Sequence, residues 1–349
     1  MNISLINSPK DSQLLGGFFF FISQIMTAFR TTFPIPEAKH KISLDSQLLT
    51  IGSCFADVVG NQLKNSKLNT EVNPFGTLFN PLSIFKILSP NYTQADKPLY
   101  VQNPEAWVHY DFHSQFSGNT KAILSEIINQ KLSNIHSQLK FQSSHLILTF
   151  GTSFIYKLLQ PQTYVANCHK MPKNFFEKNL LSVKDICKAF AILHQELKEI
   201  NPNLRIILTV SPVRHTKDGM AENQVSKSIL RAACHYLTTD YQDVEYFPSY
   251  EIMMDDLRDY RFYKPDMIHP NEVAEQYIFE KFLETYFDST LKDFIKKWQP
   301  IRKALYHRPF NEKSASHQQF LRKLLGDLEE IGELVDVLGE MERVRERLV

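Results

Sequence analysis

Two short stretches carry side chains able to do covalent chemistry. The first is LLTIGSCFADVVGNQL, Leu48–Leu63, where an apolar run stops at Gly52 and a helical pattern begins after Ser53 and Cys54. The second is YKPDMIHPNE, Tyr263–Glu272, where Asp266 and His269 lie three apart ahead of Pro270. A carboxylate and an imidazole on one short loop can share a hydrogen bond that fixes the ring's tautomer and stabilises it when it charges. A hydroxyl or thiol at a helix N-terminus meets the positive end of the helix dipole and free backbone N–H groups, which favour an anion and can bind an oxyanion. A nucleophile after the first strand and an Asp–His pair after the last form the pattern of acyl transfer or hydrolysis. Each piece also has a plainer reading. Ser is a preferred N-cap, Cys is often buried, and Asp-x-x-His before a proline can open a helix without catalysing anything.

These side chains need elements to hold them. Apolar runs at 48–52, 70–73, 145–151, 204–212 and 244–250 read as strands. Helical patterns follow at about 54–63, 121–138, 182–200, 221–240 and 271–287. Continuous apolar strands alternating with helices predict a parallel sheet covered on both faces, with ligands at the carboxyl ends of its strands. Residues 74–120 read as a loop-rich, aromatic insertion over the sheet, and the whole span assigned to insertion is 74–143. After Thr290 the charged, periodic sequence predicts a helical C-terminal extension packed on the domain or on a second copy of the chain.

Composition narrows the function classes. The chain has 349 residues, 39 Lys+Arg and 38 Asp+Glu, hence a formal net charge of +1 and no long basic run. That balance points away from nucleic acid. The four cysteines, Cys54, Cys168, Cys187 and Cys234, are scattered and form no CxxC pair, which argues against structural zinc and a disulfide framework and fits a reducing cytoplasm. His113, His169 and His215 have no metal-ligand spacing, so neither metal nor cofactor is expected. One apolar run, Leu14–Phe29, is short for a membrane span and lacks the flanks of a signal peptide. Residues 1–28 are read as an N-terminal extension, with Met26 as the natural start or residues 1–25 as dispensable; contact with a membrane is expected only if residues 14–29 act as an anchor.

Beyond the two opening stretches, the chain carries NPFGTLFNP (73–81), DFHSQF (111–116), LTFGTSF (148–154), VANCHKMP (165–172), TVSPVRHTKDG (209–219), ENQVSKS (222–228) and FPSYEIMMDDLRDYRFYKPDMIHP (247–270). With GSCFA at 52–56, this set resembles the GSCFA family, within the SGNH (GDSL-type) hydrolase superfamily. The resemblance runs from about Phe29 to Phe287, and HRPFN (307–311) extends it. It implies a three-layer, flavodoxin-like α/β domain over 29–288, with 289–349 as the helical extension. It also implies an ester- or acyl-directed hydrolase or transferase acting on a small-molecule or glycan ester.

The superfamily's roles carry over residue by residue. Laid on Gly-Asp-Ser, the sequence puts Ser53 in the Asp place and Cys54 in the nucleophile place, so both stay candidates. Gly76 takes the place of the glycine whose N–H helps bind the oxyanion. Ser153 stands where the family's superfamily has an Asn, with Asn167 as another source of that amide. Asp266 and His269 match the orienting carboxylate and the general base. Asp111, His113, His169, Arg214 and His215 fall in the motif stretches and are candidate pocket residues. A non-catalytic acyl- or glycan-binding protein on the same fold is the alternative.

Overall fold

The computed structural model describes residues 30–93 and 99–348; the apolar run at 14–29 lies outside them. The central sheet has five parallel strands: β1 (Gln47–Gly52), β2 (Asn69–Val72), β6 (Ser144–Phe150), β10 (Arg205–Val210) and β11 (Val244–Tyr246). Their spatial order is β11-β10-β6-β1-β2. Counted along the chain, that is 2-1-3-4-5, the doubly wound order of flavodoxin-like sheets. The expected α/β architecture is therefore present.

Alternate side chains of each strand feed two cores. Leu49, Ile51, Leu146, Leu148, Phe150, Ile206 and Leu208 point to one face. There they meet α2 (Pro81–Leu88), α3 (Lys121–Leu139), α4 (Val183–Ile200) and α5 (Met220–Asp240). Leu48, Ile147 and Ile207 point to the other, against α1 (Cys54–Asn65), α6 (Glu272–Tyr286) and α7 (Ser289–Leu305). Both faces are apolar, which is why the strands read as unbroken hydrophobic runs. Helix α3 lies inside the stretch read as an insertion, yet Leu124, Ile128, Leu132 and Ile135 belong to the first core. The last helices, α8 (Ala315–Gly332) and α9 (Leu338–Arg345), extend the second core through Leu321, Leu324, Leu328 and Val344.

Two small antiparallel sheets were not legible in advance. One joins β3 (Tyr100–Gln102), β4 (Trp107–His109) and β5 (Ser117–Gly118); the other joins β7 (Phe154–Leu158), β8 (Thr163–Val165) and β9 (Phe176–Leu180). Their strands have two to five residues, too short for a period-two pattern to register. Strand β11 ends at Tyr246 rather than 250, because Phe247 turns into the core ahead of Pro248. Helix α6 starts at Glu272 with Asn271 as its cap, accepting from the Ala274 N–H at 3.1 Å, so Pro270 lies before the cap and not at the first helical position.

Gly52 ends β1 at φ +150°, and a Cβ built there would collide with the Thr149 carbonyl of β6. Gly52→Ala is expected to cost about 3 kcal/mol or more, from a backbone clash in a glycine-favoured conformation. A urea unfolding curve checks this: a midpoint equal to wild type would refute the account.

Candidate functional site

In a sheet of this order, the strand connections diverge between the first and third strands, here β1 and β6, and leave a crevice at their carboxyl ends. Three loops meet there: Gly52–Cys54 after β1, Gly151–Ser153 after β6, and Ser211–His215 after β10. The Ser53 N–H donates to Thr149 O at 3.0 Å, and the Ser211 N–H to Phe150 O at 2.9 Å. The three loops are thus stitched together by main-chain bonds.

Ser53 is the N-cap of α1, and its hydroxyl accepts a long bond, 3.4 Å, from the Phe55 N–H. It is 1% exposed. Cys54, the first helical residue, is only partly buried. Burial, and then the Asp57 carboxylate, push the Cys54 thiol above its ordinary value; the N–H groups of Cys54 and Phe55 and the charge of Lys227 oppose this less strongly. The helix N-terminus alone therefore does not make this sulfur a ready thiolate, contrary to what its position suggests. Desolvation outweighs the dipole. Asp57 is itself raised by burial, though bonds from Asn73 and Thr77 and the charge of His113 act the other way.

The stretch NPFGTLFNP acts as a brace. Asn73 accepts from the Gly52 N–H through Oδ1 and donates through Nδ2 to Asp57, both at 2.8 Å, while its own N–H donates to Thr50 O. Gly76 has φ +74°, and a Cβ there would strike the His113 side chain. Its N–H, the one expected at an oxyanion, donates to Asn73 O at 2.8 Å within the turn. Leu78 N–H donates to Gly52 O, and Phe79 O accepts from both Gly151 and Thr152. The Phe79 ring is 42% exposed and lies 6.3 Å from the His215 ring, centroid to centroid.

Asp266 and His269 are paired as their spacing implied. Nδ1 of His269 lies 2.7 Å from Asp266 Oδ2, and Oδ1 accepts the N–H groups of Ile268 and His269. Those bonds pull the Asp266 carboxyl down to about 2. The pair is well exposed, 40% for the imidazole and 44% for the carboxylate. Nε2 of His269 has no hydrogen-bond partner among the described residues, and no bond joins the ring to Ser53 or Cys54. Arg214 fastens the loop to the β10 rim, donating from its N–H to Ile268 O at 3.2 Å and from Nη1 to Met267 O at 3.1 Å. Its guanidinium stacks 4.0 Å from the Tyr263 ring. Beside the loop is a cavity of about 410 Å³ lined by Arg214, Tyr250, Arg258, Tyr260 and Tyr263.

The other expected residues divide. His113 borders Gly76, and His215 sits near Phe79 with a buried Nδ1 that has no partner among the described residues. Ser153 is fully buried, and its hydroxyl bonds Ser226 O and Oγ, so it braces α5 rather than facing an oxyanion. Asn167 is tied to Ser114 and to the His169 N–H. Two of the pocket candidates are deeply buried. Asp111 is 2% exposed and pairs with Lys86 at 2.8 Å and Tyr92 at 2.9 Å. His169 is 4% exposed with Nε2 2.8 Å from His109 O. Both are interior struts whose polar atoms are occupied.

The sequence reading missed Asn73, Asp57, Phe79, Ser226 and Lys227. All five lie in stretches already singled out. Lys227 left a further signal: Asn223, Lys227, Leu230, Cys234 and Leu237 recur at helical spacing, which puts a lysine on the buried stripe of α5.

The match to a family model is decisive for kinship. The GSCFA family model matches residues 47–282, and the GSCFA domain protein, C-terminal domain, matches 298–349. The chain belongs to the GSCFA family. Two solved structures are similar. One is a Streptococcus pneumonia protein assigned provisionally as a platelet activating factor, 12% identical, with 83% of this chain and 100% of that chain covered and a TM-score of 0.35. The other is a carbohydrate esterase family 3 protein from Talaromyces cellulolyticus, 11% identical, with 72% and 97% covered and a TM-score of 0.31. Among curated proteins none matches.

Asn73→Ala would leave the buried Gly52 N–H and the Asp57 carboxylate each short of a partner. It is expected to lower stability by about 2–4 kcal/mol, read as a drop in the urea midpoint at unchanged slope.

Proposed function

We propose that the chain is an acyl-ester hydrolase or acyltransferase of SGNH type acting on a small-molecule or glycan ester. The observation that supports it most is the Asp266–His269 pair, with Nε2 left free on a loop that Arg214 ties to the carboxyl-end rim. Asp266 stays ionised and holds Nδ1–H, so Nε2 can take a proton. Cys54 serves as the nucleophile, because the residue is partly exposed whereas Ser53 is buried as a cap. The thiol loses its proton to Nε2, sulfur attacks the acyl carbon, and the alcohol leaves with that proton. Water or an acceptor hydroxyl then releases the acyl group by the reverse sequence. The Cys54 N–H, at the N-terminus of α1, is the donor at hand for the developing oxyanion.

A non-catalytic binding protein on the same fold is favoured by one observation: no hydrogen bond joins His269 to Cys54 or Ser53. Hydrolysis of p-nitrophenyl acetate and other short esters separates the readings. His269→Ala is expected to lower kcat/KM by about 10²- to 10⁴-fold, the usual worth of a positioned general base. Equal turnover by wild type and variant would remove the catalytic role of His269, and no turnover by wild type would select the binding reading. Cys54→Ala should abolish turnover. Ser53→Ala should keep it and lose about 1 kcal/mol of stability, as for other N-caps. The reverse outcome would make Ser53 the nucleophile.

A further inference from the structure

The stretch 247–270 delivers Asp266 and His269, and on the way it wraps the cavity of about 410 Å³ beside their loop. Residues Ile252–Asp256 form a π-helical turn, in which the Leu257 N–H donates to Ile252 O at 2.8 Å. Such turns are rare and gather at functional sites, and this one brings Met253, Met254 and Asp255 to the cavity wall. Tyr260 and Tyr263 follow in the chain and line it too, with Arg214 between them: its guanidinium lies 4.0 Å from the Tyr263 ring centroid and 5.4 Å from that of Tyr260. Nε of Arg214 is buried and has no partner among the described residues. The Tyr250 hydroxyl donates to Gln224 Oε1 at 2.7 Å, which leaves the Gln224 amide nitrogen as a donor. The cavity wall and the Asp–His loop are one piece. Tyr263 pairs with Pro270, the Lys264 N–H donates to His269 O at 2.7 Å, and Arg214 holds Met267 O and Ile268 O.

We propose that this cavity is a saccharide subsite that takes the alcohol half of the ester, an assignment that rests on the esterase reading given for His269. A sugar ring has an apolar C–H face and a rim of hydroxyls. The C–H face suits the negative face of a tyrosine ring, and the rim needs donors and acceptors set around it. The cavity supplies both: Tyr260 and Tyr263 as platforms, Arg214 and Gln224 as donors, Asp255 as acceptor. Its volume falls within the range of small-molecule sites, about 300–1,000 Å³. An acyl chain there would cover these polar groups without pairing them, which costs free energy. A simple anion is no better suited, because Asp255 and Asp259 line the cavity together with Arg214 and Arg258 and cancel their charge. The reaction decides which half of the ester enters. When the acyl C–O bond breaks, the alcohol oxygen keeps the bonding electrons and takes the proton held on His269 Nε2. The alcohol therefore lies on the His269 side, where the cavity is, and the acyl group lies toward α1.

The test reads binding apart from turnover. The full-length protein and its His269→Ala variant are titrated with the methyl glycosides of glucose, galactose, mannose, xylose, N-acetylglucosamine and glucuronic acid, followed by saturation-transfer NMR and calorimetry. Butyrate and octanoate serve as acyl probes and inorganic phosphate as the anion probe. At least one glycoside should bind wild type and His269→Ala alike. Tyr260→Ala should weaken that glycoside about threefold to tenfold, the usual worth of one aromatic platform, and Tyr260→Phe should restore most of the affinity. Tyr260 is 65% exposed, so both variants should melt with wild type. Among monoacetates of the bound glycoside, the one cleaved best should show a KM that Tyr260→Ala raises by the same factor. Binding of butyrate, octanoate or phosphate in place of every glycoside overturns the proposal. So does glycoside binding, or a monoacetate KM, that Tyr260→Ala leaves unmoved. If esters are cleaved and no glycoside binds, this inference fails and the esterase reading stands. If glycosides bind at Tyr260 and no ester is cleaved, the esterase reading and the alcohol role fail together, and the saccharide site stands.

Discussion

Between the ends of β1 and β6 there is no room for a side chain at position 52. The sheet pairs Gly52 with Thr149 in register, and the chain must leave β1 against the Thr149 carbonyl to start α1. Everything at the crevice follows from that approach. Because the turn is tight, Ser53 donates back to Thr149 and caps α1 at once, which places Cys54 at the first helical position. The Gly52 N–H cannot continue the ladder, and Asn73 supplies its acceptor. Asn73 sits at the end of β2, so the same side chain fixes the start of the 73–81 brace, which then bonds Gly151 and Thr152 through Phe79 O. A main-chain constraint at one glycine thereby sets the relative positions of three loops.

The brace engages several small polar groups that look catalytic by position in the sequence. Loops built from small polar residues at strand ends need partners for many N–H and C=O groups, because each unpaired buried group costs free energy. Ser153 and the Gly76 N–H answer that need within the loops. Among the described residues, three of the polar atoms left without a partner are Nε2 of His269, Nδ1 of His215 and Nε of Arg214. All three belong to the rim between β10 and the 263–270 loop, on the side where Tyr260 and Tyr263 stack on Arg214.

The order of strands and helices was readable because each strand is buried on both faces and each helix carries one apolar stripe. The Asp266–His269 pair was readable because three residues of loop leave little freedom. The short strands at 100–118 and 154–180 were not, since their pairing depends on contacts between loops distant in sequence. The same holds for roles. Asp111 lies in a motif beside the site in sequence, but its partner Lys86 comes from α2, and only the fold shows that the two neutralise each other inside the protein. Lys227 is the opposite case: the periodicity of α5 marked it as buried, while its lack of an acidic partner needed the structure.

The two halves of the candidate site differ in how they meet water, and this bears on how they would act together. The Asp–His half is open, so its hydrogen bond is screened and each partner is hydrated. The other half is more enclosed, with Ser53 buried and Cys54 half-buried, so charge there interacts more strongly and an isolated ion is costly. Ionising the thiol in that half would require its proton to leave and a bare anion to remain. On the proposed reading, an acyl group lodged between the halves would exclude water from His269 as well. The proton then moves between groups that have both left bulk solvent, which is the arrangement that makes a preorganised charge worth most.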